Sequence, residues 1–193
     1  MNLKFNCIFP GTARLALCRN HLLHQAFNEL PSLDYYLVMD VDVGSSSSFQ
    51  VKDFLTNFIY PSSSWIAMTA TQRSEYYDIW ALRLESIIPY DCWTVIFQFQ
   101  SILVRNEFLT GHIITIHQAP IPSNSSLIEA QSAFGGAALY NVKYLNRKCL
   151  YNGTVGDNYW NTYEICEHVP FHQCIRQYAK EQKLYINPGF RIS

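Results

Sequence analysis

The apolar positions of this chain follow two different periods. Over residues 12–30, apolar side chains recur every three or four residues, which predicts an amphipathic helix that ends at Pro31. The unbroken apolar run 35–39 instead predicts a strand buried on both faces. Helical spacing returns over residues 50–60, and residues 65–70 repeat the strand pattern. Strands and helices therefore alternate in the first third of the chain.

The remaining sequence continues this pattern with more aromatic side chains. Residues 93–109 predict the longest helix, and residues 113–116 predict a short strand. Residues 133–140 predict a strand that contains a glycine pair, and residues 171–183 predict a final helix before an edge strand at 184–186. Because strands and helices alternate, we expect an α/β fold with a mainly parallel central sheet flanked by helices.

Composition narrows the classes of partner. A length of 193 residues is typical of one domain, and only 15% of the residues are charged, where about a quarter is common. The net charge is −1, without a basic stripe to follow a phosphate backbone, so nucleic acid is not an expected partner. No apolar stretch approaches the roughly 20 residues that span a bilayer, so we expect no membrane span in this chain.

The cysteines and glycosylation sequons leave the cellular compartment open. Six cysteines lie far apart without a Cys-x-x-Cys pair, which argues against a zinc ribbon or a dense disulfide scaffold, so we expect reduced thiols. The triplets that begin at Asn124 and Asn152 would permit N-glycosylation in a secretory lumen. Such triplets often arise by chance, so they do not decide the compartment.

Two acids follow the first predicted strand. In the stretch YYLVMDVDVG, Asp40 and Asp42 are separated by one residue, so on extended backbone both carboxylates point to the same side. Ligands of open α/β sheets bind at the carboxyl ends of strands. Two adjacent carboxylates repel each other unless a hard cation such as Mg²⁺ or Mn²⁺ lies between them, and these ions also bind phosphates. The pair therefore predicts a metal that holds a diphosphate, the alternative being a simple acidic turn.

Four stretches together resemble one family. LVMDVDVG looks like the Asp-x-Asp motif of GT-A-type nucleotide-sugar glycosyltransferases. The other three stretches are RLALCRNHLL at 14–23, EYYDIWALR at 75–83, and SAFGGAALY at 132–140 followed by CEHVPFH at 166–172. Their order and spacing are similar to those of the capsule-associated mannosyltransferase-like enzymes of fungi and related glycosyltransferase domains of large DNA viruses. This resemblance covers residues 12–190 and implies one GT-A-like, Rossmann-like domain over residues 1–193.

The resemblance also implies the function and its cofactor. The enzyme would move a sugar from a UDP- or GDP-sugar donor to a glycan acceptor and would use Mn²⁺ or Mg²⁺. GT-A domains begin with a strand and a helix that cradle the nucleotide, and only 39 residues precede Asp40, so we expect an N-terminally short domain. A similar enzyme from a eukaryote would work in the Golgi lumen and a viral one in host cytoplasm. Two other functions stay open, a metal-dependent nucleotidyltransferase and an inactive pseudo-transferase that binds carbohydrate or nucleotide-sugar.

The resemblance assigns roles to individual residues. Glu167 is the first candidate for the general base or sugar-positioning acid, and Asp78 is the second. The metal ligands would be Asp40, Asp42 and His168, with His172, one helical turn further on, as the competing histidine. The donor would contact Arg14, Arg19, Asn20, Asp40, Arg83, Gly135 and Gly136. Some of these residues have a structural alternative: a solvated helix charge for Arg19, a plain β-bulge for Gly135 and Gly136, and satisfied surface histidines for His168 and His172.

Overall fold

The computed structural model describes residues 11–41, 49–100, 106–156 and 163–192. Within these ranges the chain is a mixed α/β structure. Its α-helices are α1 (Gly11–Glu29), α2 (Val51–Leu55), α3 (Cys92–Gln100), α4 (Asn106–Ile113) and α5 (His168–Tyr178). Its strands are β1 (Tyr35–Met39), β2 (Trp65–Thr71), β3 (Ile128–Ala130), β4 (Ala137–Asn141), β5 (Thr154–Val155), β6 (Tyr163–Glu164) and β7 (Lys183–Arg191).

The main sheet has five strands in the order β1-β4-β2-β7-β3, while β5 and β6 form a separate antiparallel pair. Among the described strands of this sheet, β2 and β7 form the one parallel pair, and the pairs β1–β4, β2–β4 and β3–β7 are antiparallel. The prediction of an α/β fold is confirmed, but that of a mainly parallel sheet is not. The physical reason is that β4 inserts, in the opposite direction, between β1 and β2, which the alternation of strands and helices does not reveal.

The direction of the strands nevertheless places several candidate site residues at one edge of the main sheet. Because β4 is antiparallel to both β1 and β2, these two strands run the same way and end at the edge where β4 begins. Asp40 follows β1, Gln72 follows β2, and the glycine pair 135–136 precedes β4. The backbone N–H of Asp40 donates to the carbonyl of Gly136 over 2.9 Å, which closes this edge.

The first helix agrees with its sequence pattern. Helix α1 ends at Glu29, two residues before Pro31, and Thr12, Ala16, Arg19 and Leu23 form its buried face. These positions lie at steps of three or four residues, as expected for one face of a helix. Arg19 is therefore a charged residue on a buried face, whereas Arg14 is exposed.

Three strand predictions need correction. Strand β1 is not buried on both faces, because it lies at one end of the sheet and its Leu37 and Met39 are exposed. The segment 184–186 is not an edge strand, since it belongs to β7, which pairs with β2 and β3. Residues 113–116 form no strand: the backbone N–H of Ile114 donates to the carbonyl of Thr110, and a 3₁₀ turn follows.

The expectation of reduced cysteines is wrong for one pair. Cys149 and Cys174 form a disulfide across 25 residues, with a Cα–Cα distance of 5.5 Å. Cys149 follows β4 and Cys174 lies in α5, so only the tertiary fold brings the two thiols together. Cys18, Cys92 and Cys166 are free thiols.

Candidate active site at the strand ends

A buried arginine links the end of β1 to the start of α5. Nη2 of Arg19 donates to Oδ1 of Asp40 over 2.7 Å, and Nη1 donates to Oε1 of Glu167. Nη1 also contacts Nε2 of His168. Burial alone would favour the neutral guanidine, but Glu167 and Asp40 outweigh it and raise the pKa of Arg19. The cluster therefore holds a permanent cation between two carboxylates.

Aromatic rings fix this cation and the histidine beside it. The Phe134 ring stacks on His168 with 3.9 Å between ring centroids, and the guanidinium carbon of Arg19 lies 4.9 Å from the Phe134 centroid. The Tyr151 ring packs edge-on against His168 at 5.4 Å. Asn20 holds the Tyr151 segment through two side-chain bonds, to the backbone N–H and the carbonyl of Tyr151. Asn20 thus supports the cluster through the Tyr151 backbone.

His168 is almost completely buried. Its exposed fraction is 2%, and burial, Arg19 and His172 lower its pKa well below the usual range. Because Nε2 faces a permanent donor on Arg19, the neutral ring carries its proton on Nδ1. Within the described residues, Nδ1 has no hydrogen-bond partner. In this arrangement Arg19 occupies Nε2, which lies 3.8 Å from Oε1 of Glu167.

Asp78 approaches the same edge from the segment after β2. Its Oδ2 accepts the backbone N–H of Gly135 over 3.2 Å, and its Oδ1 accepts that of Ala81 over 3.4 Å. Burial is the largest influence on this carboxyl and raises its pKa to about 6, with smaller contributions from Asp40 and Glu167. Asp78 thus titrates near neutral pH.

The glycine pair is required by the backbone path. Gly135 has φ of 62° and Gly136 has φ of 87°, both in the left-handed region. A Cβ at Gly135 would lie 2.1 Å from the carbonyl oxygen of Ala70. The carbonyl of Gly135 accepts a bond of 2.5 Å from Nε2 of buried Gln72. This turn places backbone that carries no side chains between the ends of β1 and β2.

The structure brings most of the predicted residues together. Arg19, Asp40, Asp78, Gly135, Gly136, Glu167 and His168 form one cluster, with Asn20 supporting it. Arg14 is exposed on another face of α1. Asp42 lies outside the described residues. Within the described ranges, no group of three or more His, Cys, Asp or Glu side chains is placed to hold a metal ion.

Arg83, which was predicted to contact the donor, instead forms hydrogen bonds within the protein. It is 6% exposed and donates to Oδ2 of Asp91 over 2.8 Å and to the carbonyls of Trp80 and Leu82. Oδ1 of Asp91 accepts the backbone N–H groups of Trp93 and Thr94, and so caps α3. The guanidinium of Arg83 therefore fastens the segment after Asp78 to α3.

His172 has partners on both ring nitrogens. The Ser132 hydroxyl lies 2.9 Å from Nδ1, and the Tyr140 hydroxyl lies 2.8 Å from Nε2. The ring is fully buried, and burial lowers its pKa to about 3. His172 is therefore a neutral histidine with both nitrogens engaged, and it is buried rather than the surface histidine of the structural alternative.

An aromatic groove of about 940 Å³ is lined by α3, by β6 and by Trp80. Trp80, two residues after Asp78, lines it together with Trp93, Phe97 and Tyr163. The indole N–H of Trp80 donates to Oδ2 of Asp91 over 3.0 Å, which fixes the ring. Sequence reasoning did not name Gln72, Phe134 or Tyr151 as candidate site residues. For Gln72 the available signal was its position directly after the second strand.

No model of a protein family matches this chain, and a comparison with curated proteins finds no relative. None of the described helices is long and apolar enough to cross a membrane.

Proposed function

We propose that this chain is a metal-dependent glycosyltransferase that moves a sugar from a UDP- or GDP-sugar to a hydroxyl of a glycan. One observation supports it most: Asp40, Asp78 and the backbone of Gly135 lie together where β1 and β2 end and β4 begins. This edge offers an acid that can bind a cation, an acid that can accept a proton and a backbone path open to close approach.

The residues present are compatible with a divalent cation. The side chain of Asp40 is 35% exposed, so an ion can reach its carboxylate from solvent. Asp40 and Asp42 would hold Mn²⁺ or Mg²⁺, which usually completes its coordination with phosphate oxygens and water. Bound there, the ion would neutralise negative charge that develops on the leaving diphosphate.

Arg19 supplies a second positive charge on the protein's own side chain. Its Nη2 lies 2.7 Å from Asp40, so a diphosphate held at Asp40 is close to a fixed guanidinium. A guanidinium pairs well with phosphate oxygens through two parallel donors. Glu167 and the Phe134 ring hold Arg19 in place, and in this proposal Glu167 is a positioning residue.

Asp78 is the better general base of the two candidates. For transfer with inversion, a carboxylate removes the proton of the acceptor hydroxyl while its oxygen attacks the anomeric carbon and the diphosphate leaves. Glu167 is bound by Arg19, whereas Asp78 accepts two long backbone bonds from the described part of the chain. A base is most effective when its pKa lies near the working pH, and that of Asp78 is about 6.

The aromatic groove gives the acceptor a place next to this base. Sugar rings present C–H groups on one face and hydroxyls at the edge, and aromatic side chains bind the C–H face. Trp80 is held by Asp91 and lies two residues from Asp78 in the sequence, so in this proposal an acceptor stacked on Trp80 would extend toward the base. The groove also contains Thr94 and Glu164, which can bind hydroxyls.

Turnover assays test the proposal against its alternatives. The protein is incubated with Mn²⁺, a panel of UDP- and GDP-sugars and oligosaccharide acceptors, and the released nucleotide is identified. We expect nucleoside diphosphate. In a parallel incubation with nucleoside triphosphate and sugar phosphate, release of pyrophosphate would indicate a nucleotidyltransferase instead. Binding of nucleotide-sugar without any release would indicate an inactive binding domain.

Calorimetry tests the metal requirement directly. Because Asp40 is acidic, UDP or GDP should bind with Mn²⁺ and lose most of its affinity in chelator. Asp40→Asn should weaken binding in Mn²⁺, while Asp53→Asn, which breaks a partly exposed pair with Arg73, should not. Equal affinity with and without metal would contradict the metal-bridged diphosphate.

A further inference from the structure

The disulfide identifies the chemical environment in which this chain folds. Cys149 is buried and bonded to Cys174. Disulfides form and persist in oxidising compartments and are rare where glutathione and thioredoxin keep thiols reduced. Closing this bond removes two protons and two electrons from the two thiols, and a partner disulfide takes them up by thiol exchange.

One glycosylation sequon begins at Asn152, three residues after Cys149 of the disulfide. Asn152 is exposed, and its Oδ1 accepts the backbone N–H of Thr154 over 3.3 Å. An N-linked glycan is carried by Nδ2 rather than Oδ1, so this turn is compatible with the modification. The neighbouring Gly153 is packed against Thr12, whose hydroxyl donates to its carbonyl over 2.7 Å. The sequon is thus anchored by its backbone while the Asn152 side chain reaches solvent.

The other sequon begins at Asn124, earlier in the chain, and lies in an exposed turn. The backbone N–H of Ser125 donates to the carbonyl of Pro122 over 3.0 Å, and Asn124 projects from this turn as an exposed residue. Both asparagines therefore fulfil the requirement that a glycan leave the folded surface without displacing core residues.

We propose that this chain folds in an oxidising secretory lumen and carries N-linked glycans on Asn124 and Asn152. In each transfer, Nδ2 of the asparagine forms a bond to the anomeric carbon of an oligosaccharide on a lipid diphosphate. The bond from that carbon to the diphosphate breaks, the lipid diphosphate leaves with the electron pair, and the amide proton passes to solvent. The inference rests on the disulfide and the exposed sequons, and it is independent of the proposed transferase activity.

The decisive measurement uses the protein isolated from the cells that make it. Peptide mapping after thiol alkylation should find Cys149 and Cys174 in one linked peptide. Treatment with peptide N-glycosidase should lower the mass and convert Asn124 and Asn152 to aspartate. Unmodified asparagines would overturn the glycan assignment, and an alkylated Cys149 would overturn the oxidising compartment.

A variant series makes the assignment specific to each site. With the chain expressed through a eukaryotic secretory pathway, Thr154→Ala should remove one glycan, Ser126→Ala the other, and the double variant both. Thr154→Ser keeps the sequon and serves as the matched control, which should stay modified. A glycan retained in the double variant would show that the modified residues are different ones. Thermal unfolding of each variant confirms that the chain is folded.

Discussion

Two polar clusters lie one helical turn apart on α5 and differ in how completely their hydrogen bonds are satisfied. The first cluster joins Glu167 and His168 to Arg19 and to Asp40 at the end of β1. It contains three charged groups and reaches a partly exposed carboxylate. The second joins His172 to the hydroxyls of Ser132 and Tyr140, all fully buried. We call them the charged cluster and the neutral cluster.

Buried polar groups whose hydrogen bonds are incomplete remain available for chemistry. In the neutral cluster both nitrogens of His172 have a hydroxyl partner, so nothing remains for a ligand to satisfy. In the charged cluster, Nδ1 of His168 has no partner within the described residues, and the side chain of Asp40 is 35% exposed. We infer that the charged cluster serves function and the neutral cluster serves stability.

The largest expected effect is on turnover, through Asp78 beside the charged cluster. Asp78→Asn should reduce turnover by about 10²–10⁴-fold, because an amide cannot accept the proton of the acceptor hydroxyl. The amide keeps the size of the side chain, so the fold should persist. Asp53→Asn is the matched control and should retain near-normal turnover. A fully active Asp78→Asn variant would remove this residue from the chemistry.

The pH dependence of kcat/KM tests the same role of Asp78 as the general base. Since the pKa of Asp78 is about 6 and only the ionised form accepts a proton, kcat/KM should rise as the pH increases through about 6. In Asp78→Asn the residual activity should lose this acidic limb. An unchanged limb in the variant would assign it to another group.

The next effect is on stability within the charged cluster. Arg19→Met leaves Glu167 buried next to Asp40 without their shared cation, and breaking a buried ion pair in this way typically costs about 3–5 kcal/mol. Arg14→Met removes an exposed charge from the same helix and should change the free energy of unfolding by less than about 0.5 kcal/mol. Urea denaturation of both variants makes the measurement. Equal losses would show that Arg19 does not hold the cluster together.

The neutral cluster should show the opposite balance between stability and binding. Tyr140→Phe removes one hydroxyl partner of His172 and should cost about 1–3 kcal/mol of unfolding free energy, because a buried nitrogen loses its bond. Affinity for a nucleoside diphosphate with Mn²⁺ should stay near the wild-type value. A loss of nucleotide affinity without a loss of stability would break the distinction between the two clusters.

Local sequence patterns predicted several elements, but they also placed a strand over residues 113–116 that the structure does not have, and they did not reveal the direction of β4. Pro31 and the spacing of apolar residues were sufficient for α1, and the run 35–39 was sufficient for β1. The insertion of β4 between β1 and β2 depends on pairing between distant segments. The strand-end position of Asp40 was nevertheless informative, because β4 contributes its beginning, with Gly135, to the same edge.

In two pairs of residues, the sequence did not show which member has a structural role and which belongs to the candidate site. His168 and His172 are four residues apart and share a helical face, but their partners come from α1 and from residues 132–140. Asp78 and Arg83 are neighbours in sequence, yet Asp78 contacts Gly135 whereas Arg83 pairs with Asp91. In both pairs, partners that are remote in sequence determine whether a polar residue is structural.

The smallest expected effect concerns how stability depends on pH through the neutral cluster. The pKa of His172 is about 3 in the folded protein and about 6.5 for an unfolded histidine, so in this range the unfolded chain binds the extra proton. Stability from His172 is complete above pH 6.5 and is lost as the pH falls, with a slope approaching about 1.4 kcal/mol per pH unit. Burial also lowers the pKa of His168, which adds to this slope, while the raised pKa of Asp78 opposes it below about pH 6.

Removing His172 should therefore flatten this dependence. Urea denaturation of His172→Gln between pH 7 and pH 5 should give a shallower loss of unfolding free energy than the wild type, even though the variant is less stable at pH 7. His112→Gln changes an exposed histidine and should leave the slope unchanged. Because the comparison uses slopes, a uniform loss of stability in the variant does not affect it. A slope equal to that of the wild type would mean that His172 is protonated in the folded protein, and the second cluster would then be charged as well.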